Sequence, residues 1–277
     1  MTTTPEPDQS GPRATGRPIR TVAALGSSFA AGPTIEPVED VSAMRSSRNY
    51  PHLLATALGA DLVDLTVSGA TTANILHTPQ QTQTGTEFVP QLAGLPEHAD
   101  LVTITAGGND LRFIGSMLAV AWSSHDPDGP VAQMLAQGQL AGVPVVTEAD
   151  VRAAAEGLAA IVAGVRERAP RARVLLVDYL TVVTPQTPTG DGSPFTAAEL
   201  AGFLLVQDAL VRAYEEAAVF SGAELVAVSA ISTDHGLGST SPWVAGFRAD
   251  LATTAGSFHP NADGMRAVAD HLVRVIA

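Results

Sequence analysis

Four short stretches of the chain hold side chains that together could do nucleophilic and acid–base work. Ser28 lies in Leu25-Gly26-Ser27-Ser28-Phe29-Ala30-Ala31-Gly32, where an apolar run gives way to glycine, two hydroxyls and small residues. A serine on a strand-to-helix turn presents its hydroxyl at the edge of a sheet and aims a backbone N–H at any oxyanion formed there. A helix-capping serine has the same local signature, so both roles stay open. Gly69, in Ser68-Gly69-Ala70-Thr71-Thr72, lets backbone approach a ligand closely and offers a second N–H, or is a simple turn glycine. Gly107-Gly108-Asn109-Asp110 turns sharply and projects Asn109, whose amide is a neutral donor suited to developing negative charge and equally a helix cap. His259, in Ser257-Phe258-His259-Pro260-Asn261, completes the set. Imidazole is the usual base for a serine because its pKa lies near neutrality, although a histidine ahead of a proline also serves purely structural ends.

Positioning these groups falls to the elements that precede them. Thr21 to Leu25, Leu62 to Val67 and Leu101 to Thr105 read as strands, and each ends in small residues followed by a polar side chain. Val174 to Val177 and Leu225 to Val228 make a fourth and fifth strand. Short apolar runs alternating with helical patterns predict an α/β fold, a parallel sheet covered by helices on both faces. Ligands of open α/β sheets bind outside the carboxyl ends of the strands, so three such ends could converge on one site. Thr147 to Asp150 fits a capping pattern before an Ala-rich helix that runs to about Arg168, where Pro170 stops it. Thr196 to Glu199 repeats the pattern ahead of a helix with Leu200, Phe203, Leu204, Leu210, Val211 and Tyr214 on one stripe. A last helix follows Pro260-Asn261, with Met265, Val268, Ala269, Leu272 and Ile276 inward. Residues 123–146, 184–195 and 232–258 carry no periodicity; loops of that length are more often functional or disordered than ordinary connectors.

Composition removes several classes of function. A formal net charge of -13 repels nucleic acid and anionic membrane surfaces. All 15 basic residues are arginine, which excludes a P-loop lysine, a Schiff base and a Ser-Lys dyad. With no cysteine there is no disulfide, thiolate nucleophile or cysteine metal site. The seven histidines form no i, i+4 pair and gather no carboxylates, so no metal is expected, and serine–histidine chemistry needs no cofactor. Gly-x-Ser-x-Gly fails around Ser28 because Ala30 stands at the final glycine, and Gly-x-Gly-x-x-Gly fails because Ser28 follows Gly26 by two. Residues 1–19 read as a disordered tail without the roughly 7–15-residue apolar stretch of a secretory signal, and residues 20–277 as one domain. No apolar run reaches the ~18 residues of a transmembrane helix. The expected location is the cytoplasm, or outside the cell for a chain from which a signal peptide has been removed.

In order and spacing, the four stretches resemble the SGNH, or GDSL-like, hydrolases. Gly26-Ser27-Ser28 matches their first block with serine in place of aspartate at position 27, and Gly69 matches the second. Gly107 through Asp110 matches the third, and His259 with its following Pro260-Asn261 the last, so that the resemblance spans about Val22 to Ala269. The stretch from Asp234 to Val244 is similar to the actinobacterial esterase and lipase branch, without the cysteine often found there. The resemblance implies a three-layer α/β/α sandwich with a five-stranded, mainly parallel, flavodoxin-like sheet. It implies Ser28 as nucleophile, His259 as base, and an oxyanion held by the N–H groups of Ser28 and Gly69 and the Asn109 amide. Many members place an aspartate three residues before the histidine; position 256 is glycine. That branch uses a backbone carbonyl from this position, which implies the Gly256 carbonyl, with Asp263, Asp250 and Asp234 as fallback acids. The implied activity is hydrolysis of a small-molecule or lipid carboxylic ester. An acyltransferase with the same site and a non-catalytic binding protein are the alternatives, the second prompted by Ser27. Trp122 and Trp243 could line an acyl pocket or simply pack.

Overall fold

Alternate burial of whole strands, rather than of alternate residues, marks the centre of the sheet. In this computed structural model, which describes residues 18–82, 84–138 and 140–277, β1 (Thr21–Gly26) and the strand Leu101–Thr105 are buried at every position. That pattern requires cover on both faces. With β2 (Asp61–Asp64), β3 (Leu101–Thr105), β4 (Arg173–Val177) and β5 (Glu224–Val226), the sheet runs β2-β1-β3-β4-β5 and every pairing is parallel. The order reverses between β1 and β3, where an open sheet leaves a crevice at its carboxyl edge.

Helices close both faces, giving the three-layer α/β/α arrangement. On one side α1 (Tyr50–Leu58) packs against α5 (Ala262–Ile276); on the other, α3 (Glu148–Arg168) packs against α4 (Ala197–Ser221). Capping boxes start α3 at Thr147 with Asp150 and α4 at Thr196 with Glu199, each joining side chain to backbone in both directions. Met265, Val268, Ala269 and Leu272 bury one face of α5, and Asn261 caps it through Gly264 N–H. Helix α2 (Phe113–His125) is buried along most of its length, so it shows no polar face by which its period could be read.

Several expected boundaries move, for local reasons. The strand predicted to reach Val67 ends at Asp64, whose carboxylate takes both the N–H and the hydroxyl of Thr66 and turns the chain. Leu65 and Val67 still donate to the Ala24 and Gly26 carbonyls of β1. The fifth strand ends at Val226 because Ser229 bonds Asp178 through N–H and hydroxyl, winding Val228–Ile231 into a helical turn. Within 123–146, expected to be irregular, lie the end of α2 and a helix at Pro130–Gln137. Of the predicted tail, residues 1–17 lie outside the described residues. Among the described residues, no helix is long and apolar enough to cross a membrane.

Candidate active site

β1 ends under tight constraint. A Cβ at Gly26 would lie 2.5 Å from the Thr105 carbonyl oxygen, so only glycine fits this close approach to β3. The buried Gln91 amide grips the same residue, accepting from Gly26 N–H at 2.8 Å and donating to its carbonyl at 2.9 Å. Ser27 then occupies the N-cap of the turn Ser28–Ala31, yet its hydroxyl does no capping; it hydrogen-bonds the Tyr179 hydroxyl at 2.9 Å.

The Ser28 hydroxyl meets the other end of the chain. Its Oγ lies 2.8 Å from His259 Nε2, a contact across 231 residues. On the far side of the ring, Nδ1 is 2.9 Å from the Ser257 carbonyl. A carbonyl only accepts, so Nδ1 carries the proton and Nε2 presents its lone pair to the Ser28 hydroxyl. Both residues are nearly buried, and Phe29 covers the imidazole with ring centroids 5.5 Å apart. Burial penalises the charged ring and lowers the His259 pKa to about 4, against a smaller upward pull from the Ser257 carbonyl.

The acceptor is displaced by one residue from the expectation. The Gly256 carbonyl takes the backbone N–H of His259 at 3.3 Å, closing a turn, and it is the Ser257 carbonyl that meets Nδ1. Among the described residues, none of Asp234, Asp250 and Asp263 bonds the ring; Asp250 instead caps the turn at Ala252 and Thr253. Phe258 is held in the left-handed region at φ 63°, costly for a bulky residue. Pairing with the segment at Ala245, through Phe258 N–H to its carbonyl and Ala245 N–H to the His259 carbonyl, maintains that conformation.

Donors for an anion are left unspent around Ser28. Neither Ser28 N–H, at the start of its turn, nor Gly69 N–H meets an acceptor among the described residues. Asn109 donates to the Ala70 carbonyl at 2.8 Å, which ties its loop to that of Gly69 and leaves the second amide hydrogen available. Asp110 reinforces the tie by accepting from the N–H and hydroxyl of Thr72.

Two positioning residues escape a reading of the sequence. Tyr179 follows the carboxyl end of β4 and bridges two loops, accepting from Gly108 N–H at 3.2 Å while paired to Ser27. A Cβ at Gly108 would come within 2.7 Å of the Tyr179 ring, which explains the second glycine of that loop. Its place just beyond a strand end is a signal shared with the other site residues; Gln91 carries no such signal.

Behind Phe258 lies a cavity of about 550 Å3, walled by Phe195, Leu237, Phe247, Phe258 and His125. Trp122 and Trp243 are not part of its wall. Trp122 backs Phe247 edge-on and donates to the Thr254 hydroxyl, and Trp243 stacks on His235 with centroids 3.7 Å apart. Away from the site, Glu39, His52 and Asp64 gather ligand atoms within 4.8 Å, a geometry open to a cation. Arg45 already sits against Glu39 and Asp40 there and supplies the compensating charge.

A doubly wound parallel sheet with a hydroxyl–imidazole pair at its switch point defines a class of hydrolase folds, and the comparisons specify the family. Residues 24–267 match the GDSL-like Lipase/Acylhydrolase family, and the chain belongs to it. It is accordingly an ester-hydrolysing enzyme. Lipase 2 of Streptomyces coelicolor is 32% identical over 270 residues, covering 91% of this chain and 84% of that protein. Among solved structures, an extracellular lipase of Streptomyces rimosus superposes with a TM-score of 0.67 at 22% identity, covering 92% of this chain and 99% of its own. Phospholipase A1 of Streptomyces albidoflavus gives 0.70 at 22% identity, with 93% and 99% covered. These two likenesses establish the fold.

Proposed function

We propose that the chain cleaves carboxylic esters through an acyl-enzyme on Ser28, with His259 as general base. The observation that carries this reading is the 2.8 Å contact between Ser28 Oγ and a neutral Nε2. As the hydroxyl oxygen attacks the ester carbonyl, its proton passes to Nε2, and the carbonyl π electrons move onto oxygen. The Ser28 and Gly69 N–H groups and the free Asn109 amide hydrogen hold that oxyanion. His259 then gives that proton to the departing alcohol; water, deprotonated by the same nitrogen, attacks the acyl carbon, and the Ser28 Oγ–acyl bond breaks to release the acid as His259 returns the proton to Ser28. The Ser257 carbonyl keeps the Nδ1–H tautomer through both halves. The substrate is a small-molecule or lipid ester, in keeping with lipase and phospholipase relatives and with the aromatic cavity beside Phe258.

A chain-length series of nitrophenyl esters tests this. Ser28→Ala and His259→Ala should each lower kcat by roughly 10⁴–10⁶-fold with folding retained, and Asn109→Ala by about 10²–10³-fold. Turnover surviving in Ser28→Ala would move the nucleophile elsewhere. Adding alcohols to the assay separates hydrolysis, which we expect to dominate, from acyl transfer. On location, the extracellular rimosus lipase offers the alternative to a cytoplasmic enzyme; activity in medium against lysate decides between them.

A further inference from the structure

The loop bearing Gly69 is braced from two sides. A hairpin pairing Val38–Asp40 with Arg45–Ser46 offers the Ala43 carbonyl to Ser68 N–H at 2.9 Å. A second hairpin, Gln80–Gln81 with Glu87–Phe88, reaches over with Gln80, whose Nε2 donates to the Ser68 carbonyl at 2.8 Å. Ser42 and Thr86 join the two hairpins through their hydroxyls at 2.9 Å. Gln80 Oε1 is buried without a partner among the described residues, so the amide is spent on this one bond. A Cβ at Gly69 would lie 3.4 Å from Gln80 Nε2, placing the amide directly against this peptide.

The Ser68 carbonyl and the Gly69 N–H belong to one planar peptide unit, so fixing one fixes the direction of the other. A hydrogen bond to the carbonyl also draws electron density toward oxygen and leaves the N–H a stronger donor. We infer that Gln80 is a positioning residue for the oxyanion site, holding and polarising the Ser68–Gly69 peptide so that its N–H meets the developing negative charge. The inference rests on the reading of Gly69 as an oxyanion donor. A group that acts only on charge formed in the transition state changes kcat and leaves KM alone.

Two variants test it on a nitrophenyl ester. Gln80→Leu should lower kcat about tenfold with KM held within about twofold, a fraction of the loss from removing a direct donor. Gln80→Glu is the discriminating one. Near pH 8 its carboxylate faces the Ser68 carbonyl and cannot donate, so it should behave as Gln80→Leu does. Partial burial and the facing Ser68 carbonyl both disfavour the carboxylate and raise its pKa above the ordinary ~4.3, so near pH 5 the protonated acid regains a donor, and its kcat relative to wild type at the same pH should climb to within about threefold while Gln80→Leu stays low. Wild-type kcat in both variants, or equal deficits in both at the two pH values, overturns the inference. Running Ser28→Ala and Asn109→Ala alongside separates the failures. Loss in those two with none in the Gln80 variants removes Gln80 alone, whereas activity in Ser28→Ala removes the reading beneath it.

Discussion

With Nδ1 on the Ser257 carbonyl and Phe29 over its ring, His259 meets no carboxylate among the described residues to share a positive charge, and burial holds its pKa down to about 4. With His259 as the proposed base, its protonation blocks transfer from Ser28, so activity should be lost only as pH falls through about 4. The acid limb of kcat/KM against pH for a neutral ester should have its midpoint there; a midpoint near 6.5 would mean that the ring is solvated in the free enzyme. Stability follows the same group. The unfolded chain binds this proton near 6.5, so the contribution of the neutral buried ring is full above that pH and is lost as pH falls toward 4. Tyr179 supports the site from behind. Tyr179→Phe strands the buried Ser27 hydroxyl and Gly108 N–H, a cost of about 1–3 kcal/mol in urea unfolding. Adding Ser27→Ala should cost less than the two single changes together, because one orphan then disappears; full additivity would deny the coupling.

At the scale of elements, Asp178 shows how a strand end is tied to the segment after the next strand. It stands just past β4 and anchors the turn Val228–Ile231 through Ser229. Burial raises its pKa from 3.8 to about 6, ahead of the lowering by its Ser229 bonds. The folded state therefore holds the proton more tightly than the unfolded one. Its favourable contribution is full below about pH 4 and lost as pH rises through 6, after which a buried carboxylate must be maintained. Asp178→Asn retains an acceptor for Ser229 N–H and should stabilise the protein by roughly 1–3 kcal/mol near pH 8 and by nothing measurable near pH 4. Thermal melts at the two pH values check this; equal shifts at both would show that ionisation is not the cause.

For the whole molecule the net charge of -13 sets the terms on which substrates arrive. Such a field opposes anionic esters and is screened by salt. An anionic ester should therefore react with lower kcat/KM than a neutral one of equal chain length at low salt. The gap should narrow severalfold on going to about 0.5 M salt, where the Debye length shrinks to a few ångströms. A salt-independent ratio would show that local groups, not the overall field, control access.

Much of the framework was legible in the chain itself. Capping pairs Thr147/Asp150 and Thr196/Glu199 mark helix starts because they act within one turn, and the continuous apolar runs of β1 and β3 mark buried strands. Helix α2 left no trace because a helix buried around most of its circumference has no amphipathic period. The candidate site residues Ser28, Gly69, Asn109 and His259 stand out by type, the first three also by their places after apolar runs. Their partners are less visible: Tyr179 shares the place after a strand but acts through a hydroxyl and a backbone N–H distant in sequence, and Gln80 through one backbone carbonyl. Residue types, order and local periodicity thus determined the fold class and the candidate chemical groups, since both depend on neighbours within a few positions. Which carbonyl holds His259, Ser257 rather than Gly256, and which side chains brace the loops of Gly69 and Asn109 was decided only by tertiary closure. Hydrogen bonds are sensitive to tenths of an ångström and to angle, and no spacing along a chain encodes the backbone turn that aims one carbonyl instead of its neighbour.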